Sequence, residues 1–501
     1  MTVVEHEGTR GFPLAAAMGN AGDDGDTIIV RPSSPGRRRN GRAIGLREIN
    51  QTINRNLRTR TVQEHNNSKT QERPSRRDFL KTTAALGGAA LAAPLTVARG
   101  AHTAGSDVIK IGLIGCGGRG SGAAANAMNA GKDVRLVAMA DIFADHLEDS
   151  RQRLKKMYPE QAVVDDAHCF VGFDAYQKLI HSGVDAVLIA CTSHFHPAYL
   201  KAAIDAGKHV FCEKPHGLDV PGLKIARAAA GEAKKKNLCL VSGLCWRYDP
   251  GVRETMQRIH DGQIGRIVAI QATRVGGSYV LRERKPEWNE MQFQLQNWYH
   301  FDWLSGNDPS QTLIHQIDKA SWALGDVPPL RAWGMGGRQV CLEPKYGDEF
   351  DHQAIVYEYA NGVRLFSYCR HIPGCYNAAA VVVLGEKGRA FMPDQPHIEG
   401  EKPWRYKGRP ANMTDVEQKE LFDAIRAGKT INNGHYMCLS SMLAILGQMV
   451  CYTGQELAWE QALASKQSYA LPRYGWDVEP PVKPGPNGQY PAAMPGITQF
   501  R

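Results

Sequence analysis

Residues 108–120 read Val108-Ile-Lys-Ile-Gly-Leu-Ile114-Gly115-Cys-Gly117-Gly118-Arg119-Gly120. The first seven are mostly Val, Ile and Leu, a run of strand length, and the next six spell Gly-x-Gly-x-x-Gly. An Ala-rich stretch of helical composition follows at 121–130. A second apolar run, Val134–Ala140, ends in Asp141, 21 residues past the last glycine. Strand, glycine loop, helix, strand and acid in this order predict a dinucleotide site. Gly115 permits the tight turn, Gly117 lets backbone approach a pyrophosphate, and Gly120 permits close helix packing. The helix N-terminus at Gly118 and Arg119 offers amides and partial positive charge to the phosphates. Asp141 accepts hydrogen bonds from the adenosine ribose and repels a 2′-phosphate, which predicts NAD rather than NADP.

Downstream, apolar runs at 186–190, 209–212 and 238–241 alternate with helix-like stretches at 196–206 and 219–236. That alternation predicts an α/β Rossmann domain, a parallel sheet with right-handed crossovers. Ligands of such sheets bind beyond the carboxyl ends of the strands. Two of those ends carry Cys191-Thr192-Ser193-His194-Phe195-His196-Pro197 and Glu213-Lys214-Pro215. The pattern changes after Ser242-Gly243. Alternating runs at 266–275, 330–340, 352–360, 363–371 and 378–385 predict antiparallel strands, with turns such as Ala360-Asn361-Gly362. Helical stretches at 415–427 and 437–450 are expected to pack back on the first domain. The Pro/Gly-rich residues 480–497 are expected to form an irregular arm around the subunit or a neighbour.

The whole chain has 501 residues, enough for two or three domains, and at 43% hydrophobic and 22% charged it is ordinary for a globular protein. Its net charge of +9 suggests polyanion binding until it is located. Residues 1–104 hold 16 Lys+Arg against 9 Asp+Glu, leaving 44 against 42 for the rest. The excess belongs to the leader, so no nucleic-acid partner is expected. The 11 cysteines form no CxxC pair, which argues against a zinc ribbon or a disulfide scaffold. His194 and His196 have no third ligand in view, so no metal is expected. No apolar stretch reaches the ~20 residues that span a bilayer, so no stable membrane insertion is expected.

Within the leader, 1–72 reads as disordered, with Arg37-Arg38-Arg39 and no sustained periodicity. Ser75-Arg76-Arg77-Asp78-Phe79-Leu80-Lys81, the mildly apolar 82–98 and the small residues that follow have the layout of a signal peptide. The arginine pair with Phe-Leu-Lys resembles the twin-arginine export signal. Such a signal stands near the start of a chain, and residues 1–72 are expected to reflect a translation start placed too far upstream.

Gly115–Gly120, Thr192 with His196-Pro197, and above all Glu213-Lys214-Pro215 resemble the glucose–fructose oxidoreductase/inositol dehydrogenase (Gfo/Idh/MocA) family over about residues 108–470. The resemblance implies a Rossmann domain and an α+β domain whose large open, mostly antiparallel sheet covers the nicotinamide. It implies a sugar or polyol substrate, and homodimers or homotetramers built through the sheets. Lys214 would touch the nicotinamide ribose side and the reacting hydroxyl, with Glu213 beside it, and Thr192 and His196 would line the cofactor. Arg247 would hold the carboxamide or substrate, or serve as an interdomain ion pair. In Thr312-Leu-Ile-His315-Gln-Ile-Asp318, His315 would be the general acid/base, with Asp318 orienting the helix or His315 near the substrate. The family often places an Asp four residues before this histidine, where this chain has Gln311. His315 then acts with Lys214 alone, or Asp302 or Asp308 substitutes, or the redox step is weak. Trp298-Tyr299-His300-Phe301-Asp302-Trp303 is dense in aromatics with polar tips, as sugar sites are, so Tyr299, His300 and Asp302 are expected to form a substrate wall.

The expected organisation is a leader (1–72), signal peptide (73–104), NAD-binding domain (105–243), substrate and oligomerisation domain (244–475) and arm (476–501). The expected function is an NAD-dependent oxidoreductase of a sugar or polyol hydroxyl, with tightly held cofactor, carried to the periplasm or beyond by the twin-arginine translocase. The alternatives are a glycoside hydrolase using NAD transiently and a non-catalytic sugar-binding relic.

Overall fold

A computed structural model describes residues 108–392 and 395–500. The expectations for the leader and signal peptide lie outside the described residues. Six strands form the first sheet: β1 (Ile109–Ile114), β2 (Val134–Asp141), β3 (Cys169–Val171), β4 (Ala186–Ile189), β5 (His209–Cys212) and β6 (Leu240–Ser242). Their order is β3-β2-β1-β4-β5-β6 and every pairing is parallel. Helices cover both faces, so β1, β4 and β5 are almost wholly buried and read as continuous apolar runs. The sheet order reverses between β1 and β4, where a crevice opens above the strand ends. Helix Gly118–Asn129 begins inside the glycine motif, three residues earlier than composition suggested.

The second sheet has nine strands among the described residues, in the order β14-β13-β12-β11-β7-β10-β9-β8-β15. Its centre is β7 (Ile267–Gly276), β8 (Arg331–Gly337), β9 (His352–Glu358), β10 (Arg364–His371) and β11 (Ala378–Gly385). The edge strands are β12 (Gly388–Phe391), β13 (His397–Gly400), β14 (Trp404–Arg405) and β15 (Leu457–Ala458). One pairing departs from the antiparallel expectation: β7 and β10 run parallel, Arg364 beside Ala269 through His371 beside Gly276. The chain leaves β7 through helices and the β8–β9 hairpin, then returns along the free flank of β7 in the same sense. Side-chain alternation is identical for both senses of pairing, so it cannot report the difference.

One face of this sheet is sealed by helix Ile314–Ala323 and helix Gly434–Thr453, which meet the buried Ile270, Ala272, Ile355, Tyr357, Leu365 and Val381. Helix Gly434–Thr453 is long and apolar enough to cross a membrane by length and composition. That corrects the expectation that no stretch reaches such length. It is 89% buried and serves as the core helix joining the two domains. Helix Met413–Arg426 packs back on the nucleotide domain as expected, through Asn126 to Asp415 (2.7 Å) and Arg426 to Asp133 (2.7 Å). The arm wraps its own subunit: Trp476 meets Phe143 and Phe173, and Tyr490 meets Phe301.

Candidate active site

The glycine motif bends where its sequence requires. Gly115 sits at φ +94°, and a Cβ there would lie 2.4 Å from the Cys191 amide. A Cβ on Gly120 would fall 1.7 Å from the Gly115 carbonyl, so this glycine lets the helix seat on the turn. At Gly117 and Gly118 a Cβ would meet no protein atom within 4 Å. That open cradle fronts a cavity of about 350 Å³ running from Gly115, Gly117, Gly118 and Arg119 to Asp141, with Thr192 and Tyr299 on its walls. Asp141 ends β2 and is fixed by the amides of Cys116 (2.6 Å) and Phe143 (2.9 Å). Burial pushes its proton affinity up against those two hydrogen bonds. The residues present fit a dinucleotide: free amides for the pyrophosphate, and at the far end a carboxylate with lone pairs left for ribose hydroxyls.

A second cavity, of about 190 Å³, shares Arg119, Ala190, Cys191, Trp298 and Tyr299 with the first. Its walls bring together Glu213 and Lys214 from the end of β5 with Gln311 and His315 from the second domain. Glu213 pairs with Arg119 at 2.5 Å and accepts from the Lys214 amide. Lys214 Nζ donates to the Gln311 backbone carbonyl at 2.5 Å. Burial lowers the proton affinity of this ammonium, and neighbouring Glu213 opposes that. His315 follows a π turn (Pro309–Leu313) and starts helix Ile314–Ala323. Burial holds its imidazole far below the ordinary range, helped by the charges of Lys214, Lys319, Arg274 and Arg119. His315 Nδ1 and Gln311 Oε1 are both buried without a hydrogen-bond partner. Gln311 Nε2 donates to Ser193 Oγ and the Ser305 carbonyl.

Other expected site residues stand elsewhere. His196 lines the second cavity, but its ring sits between Pro215 O (2.8 Å from Nδ1) and Cys191 O (3.0 Å from Nε2) and, kept neutral by burial, donates its one N–H to one of them, which packs it between the two strand ends. Arg247 and Asp318 line neither cavity. They bind each other (2.9 Å), with Asp326 and Ser440 attached and Tyr436 under the guanidinium, so of the two roles weighed for Arg247 the ion pair is the one formed. His300 is buried with Nε2 at the Val280 carbonyl, and Asp302 accepts from Tyr452 at 2.5 Å. Neither lines either of these two cavities; from that segment Trp298 and Tyr299 do. The 3-10 turn Trp298–His300 ends at the extended Phe301 and a new helix starts at Asp302, so His300 and Asp302 are buried where Trp298 and Tyr299 face the cavities. Asp308 does not replace the missing acid either, since it is spent on Tyr279, Thr312 and His371.

Sequence reading missed Arg282, Thr414 and Cys245. Thr414 and Cys245 complete the second cavity, and Arg282 reaches His146 beside Asp141 over the first.

Comparison with known proteins agrees with this architecture. Residues 109–242 match the profile of an oxidoreductase family with an NAD-binding Rossmann fold, and 256–438 match that family's C-terminal α/β domain. Residues 73–93 match the twin-arginine translocation signal sequence. Inositol 2-dehydrogenase of Salmonella typhimurium is 26% identical over 333 residues, covering 64% of this chain and 87% of that protein. Levoglucosan dehydrogenase, solved with NADH and levoglucosan, has a TM-score of 0.57 at 18% identity, covering 70% of this chain and all of that one. Scyllo-inositol dehydrogenase of Lactobacillus casei has a TM-score of 0.54 at 20% identity, covering 70% and 98%. Both halves of the fold are matched in order and over most of the described chain, and the protein belongs to the Gfo/Idh/MocA family of NAD-binding oxidoreductases.

Proposed function

We propose that this protein is an exported dehydrogenase of sugar or polyol hydroxyls that works with NAD held firmly in place. The observation that carries this reading is that Lys214 and His315, from different domains, line one small cavity that shares Arg119, Cys191 and Tyr299 as wall residues with the glycine-loop cavity. Bound NAD supplies the hydride acceptor. His315, kept neutral by burial and neighbouring cations, takes the hydroxyl proton, and the Lys214 ammonium steadies the developing alkoxide. Gln311 takes no proton; it fixes the π turn whose carbonyl aims Lys214. Asp141 selects NAD over NADP by hydrogen-bonding the ribose and repelling a 2′-phosphate.

Firm retention is supported by what covers the adenosine side. Val280, Arg282 and Leu295–Tyr299 of the second domain close over the first cavity, and the arm adds Trp476 against Phe143, one of its lining residues. Export by the twin-arginine route is supported by the matched signal at 73–93. The far face of the large sheet supports self-association, presenting Met335 (73% exposed), Tyr368 and the half-buried Trp333, Val356 and Phe366.

A panel of sugars and polyols offered to the purified exported protein, with absorbance read at the NADH band, tests the reading. Reduction of the bound cofactor by at least one polyol is expected, along with near-stoichiometric dinucleotide after extensive dialysis. Release of a chromogenic aglycone with no net NADH would assign the chain to the hydrolase alternative instead. Replacing Arg76 and Arg77 by Lys should trap the protein in the cytoplasm, and unchanged export would remove the localisation.

A further inference from the structure

The geometry points to Gln311 as a residue that reads the substrate, its amide oxygen accepting from the hydroxyl next to the one being oxidised. The site is thereby built for a vicinal diol. This rests on the dehydrogenase reading and deepens it.

The ground is where unpaired polar atoms lie. Among the described residues, several buried side-chain nitrogens and oxygens lack a hydrogen-bond partner. Only two of them, Gln311 Oε1 and His315 Nδ1, belong to residues lining either of the two cavities, and both line the second. A fold tolerates few such orphans, because each costs its desolvation. On the wall of a cavity, a ligand can supply the missing partner.

The orientation of the Gln311 amide is settled by its surroundings. One end faces the backbone carbonyl of Ser305, which can only accept, so that end is the NH2 group. The same Nε2 donates to Ser193 Oγ at 3.2 Å, and Ser193 lines the cavity as well. Both amide hydrogens are therefore spent on the protein. The backbone carbonyl of Gln311 is spent too, on Lys214 Nζ. Oε1 is what remains: a neutral acceptor, on a residue only 2% exposed, with no way to become a donor. A glutamate here would set one oxygen against the Ser305 carbonyl, so glutamine is a fitted group rather than the remnant of an acid.

The neighbours define what completes the set. Lys214 Nζ lies against the residue that carries Oε1, so a hydroxyl held by Lys214 and His315 has its neighbour on the next carbon within reach of Gln311. Oε1 needs a donor. A carbonyl, a carboxylate or an ether oxygen supplies none. An ammonium would stand beside Lys214 and Arg119, both positive. A hydroxyl donates without charge, and a cavity of about 190 Å³ holds one small polyol.

The test is calorimetric titration of the NADH-loaded protein with glucose, galactose and their 2-, 3- and 4-deoxyfluoro derivatives. Fluorine takes the place of a hydroxyl at little change in size and donates nothing. At one ring position the fluoro sugar is expected to bind roughly ten- to a hundredfold more weakly than its parent, the cost of leaving a buried acceptor unpaired. Gln311→Met, of similar length and without the acceptor, should bring that ratio close to one. It should also raise KM for the parent far more than it changes kcat. Fluoro sugars that all bind within about twofold of their parents overturn the inference on the unmodified protein alone, whether or not the variant folds. Fluoro penalties that all survive in Gln311→Met overturn it too, as does failure of both parent sugars to bind. Turnover separates the two layers. If polyols reduce NAD with no fluoro penalty, the dehydrogenase stands and the diol acceptor falls. If a penalty collapses in Gln311→Met and nothing reduces NAD, the acceptor stands and the dehydrogenase falls.

Discussion

Two regions of this protein concentrate buried charge, and they treat it in opposite ways. Around the second cavity the charge is positive and incompletely answered: Lys214 rests on a backbone carbonyl, and His315 Nδ1 has no partner. Under the large sheet, Asp302, Asp308, Asp348 and Glu349 are all buried, and each is tied to the fold through at least one oxygen; of their buried oxygens only Glu349 Oε2 is left without a partner. Tyr452 donates to Asp302, the Asp302 amide to Asp348, Ser305 to Glu349, and Tyr279 with Thr312 to Asp308. These four acids line neither of the two cavities, whereas Lys214 and His315 line the second. A buried charge whose hydrogen bonds close on the protein itself is architecture. One that faces a cavity with bonds left over is there for something that binds.

The largest effect that sharpens this contrast belongs to Lys214. Lys214→Ala should cut turnover by roughly a hundredfold or more, the scale of positioned proton transfer, while cofactor measured after denaturation stays bound. His315→Ala should act similarly and Gln311→Ala far less. A large loss at Gln311 with none at His315 would break the assignment of roles. Next comes Asp141→Ala, which removes hydrogen bonds to a charged acceptor and should weaken NAD by roughly ten- to a hundredfold, while narrowing the gap to NADP in a fluorescence titration. NADP binding as well as NAD in the unmodified protein would show Asp141 reads nothing.

On the sealed side, Asp302→Ala should leave KM within experimental error but destabilise the fold by about 1–3 kcal/mol in urea melts, because Tyr452 and Gln448 lose a buried partner. A raised KM with unchanged stability would move Asp302 back into the substrate wall.

The smallest effect is a pair of opposed pH dependences. Burial depresses His194 to about 4, below its ordinary 6.5. The unfolded chain therefore takes up that proton first, and stability is lost as pH falls from about 6.5 to 4. Burial raises Asp348 to about 6, from 3.8. There the folded form holds the proton more tightly, so stability is gained as pH falls through about 6. His194→Gln should flatten the acid loss in melts between pH 7 and 4.5, and Asp348→Asn should steepen it. Shifts in the same direction would show that one of the two groups is not buried in the form the fold implies.

Much of the nucleotide half was legible in the chain itself. Gly120 and Asp141 are fixed by contacts within a few dozen residues and Gly115 by its own positive φ, so motif and periodicity together specify turn, helix seat and carboxylate. The second half was legible as strands but not as a sheet, because alternation marks which side chains face inward and is silent on partners and sense. Tyr299 and Asp302 show the limit most clearly. They lie three residues apart in one aromatic-rich segment, yet one lines both cavities and the other is buried under the sheet.

The sequence by itself determined the dinucleotide loop and the acid at the end of β2, since each is a local pattern with its own chemistry, while the Glu213-Lys214-Pro215 corner and the histidine helix were carried by resemblance to a family. Only the tertiary structure decided that Lys214 and His315 share a cavity and that Arg247 and Asp318 neutralise each other away from it. The physical reason is that pairing of charge is a property of distance in space. Residues 60 or 100 positions apart along the chain carry no mark of whether folding will bring a partner to them or leave the place open.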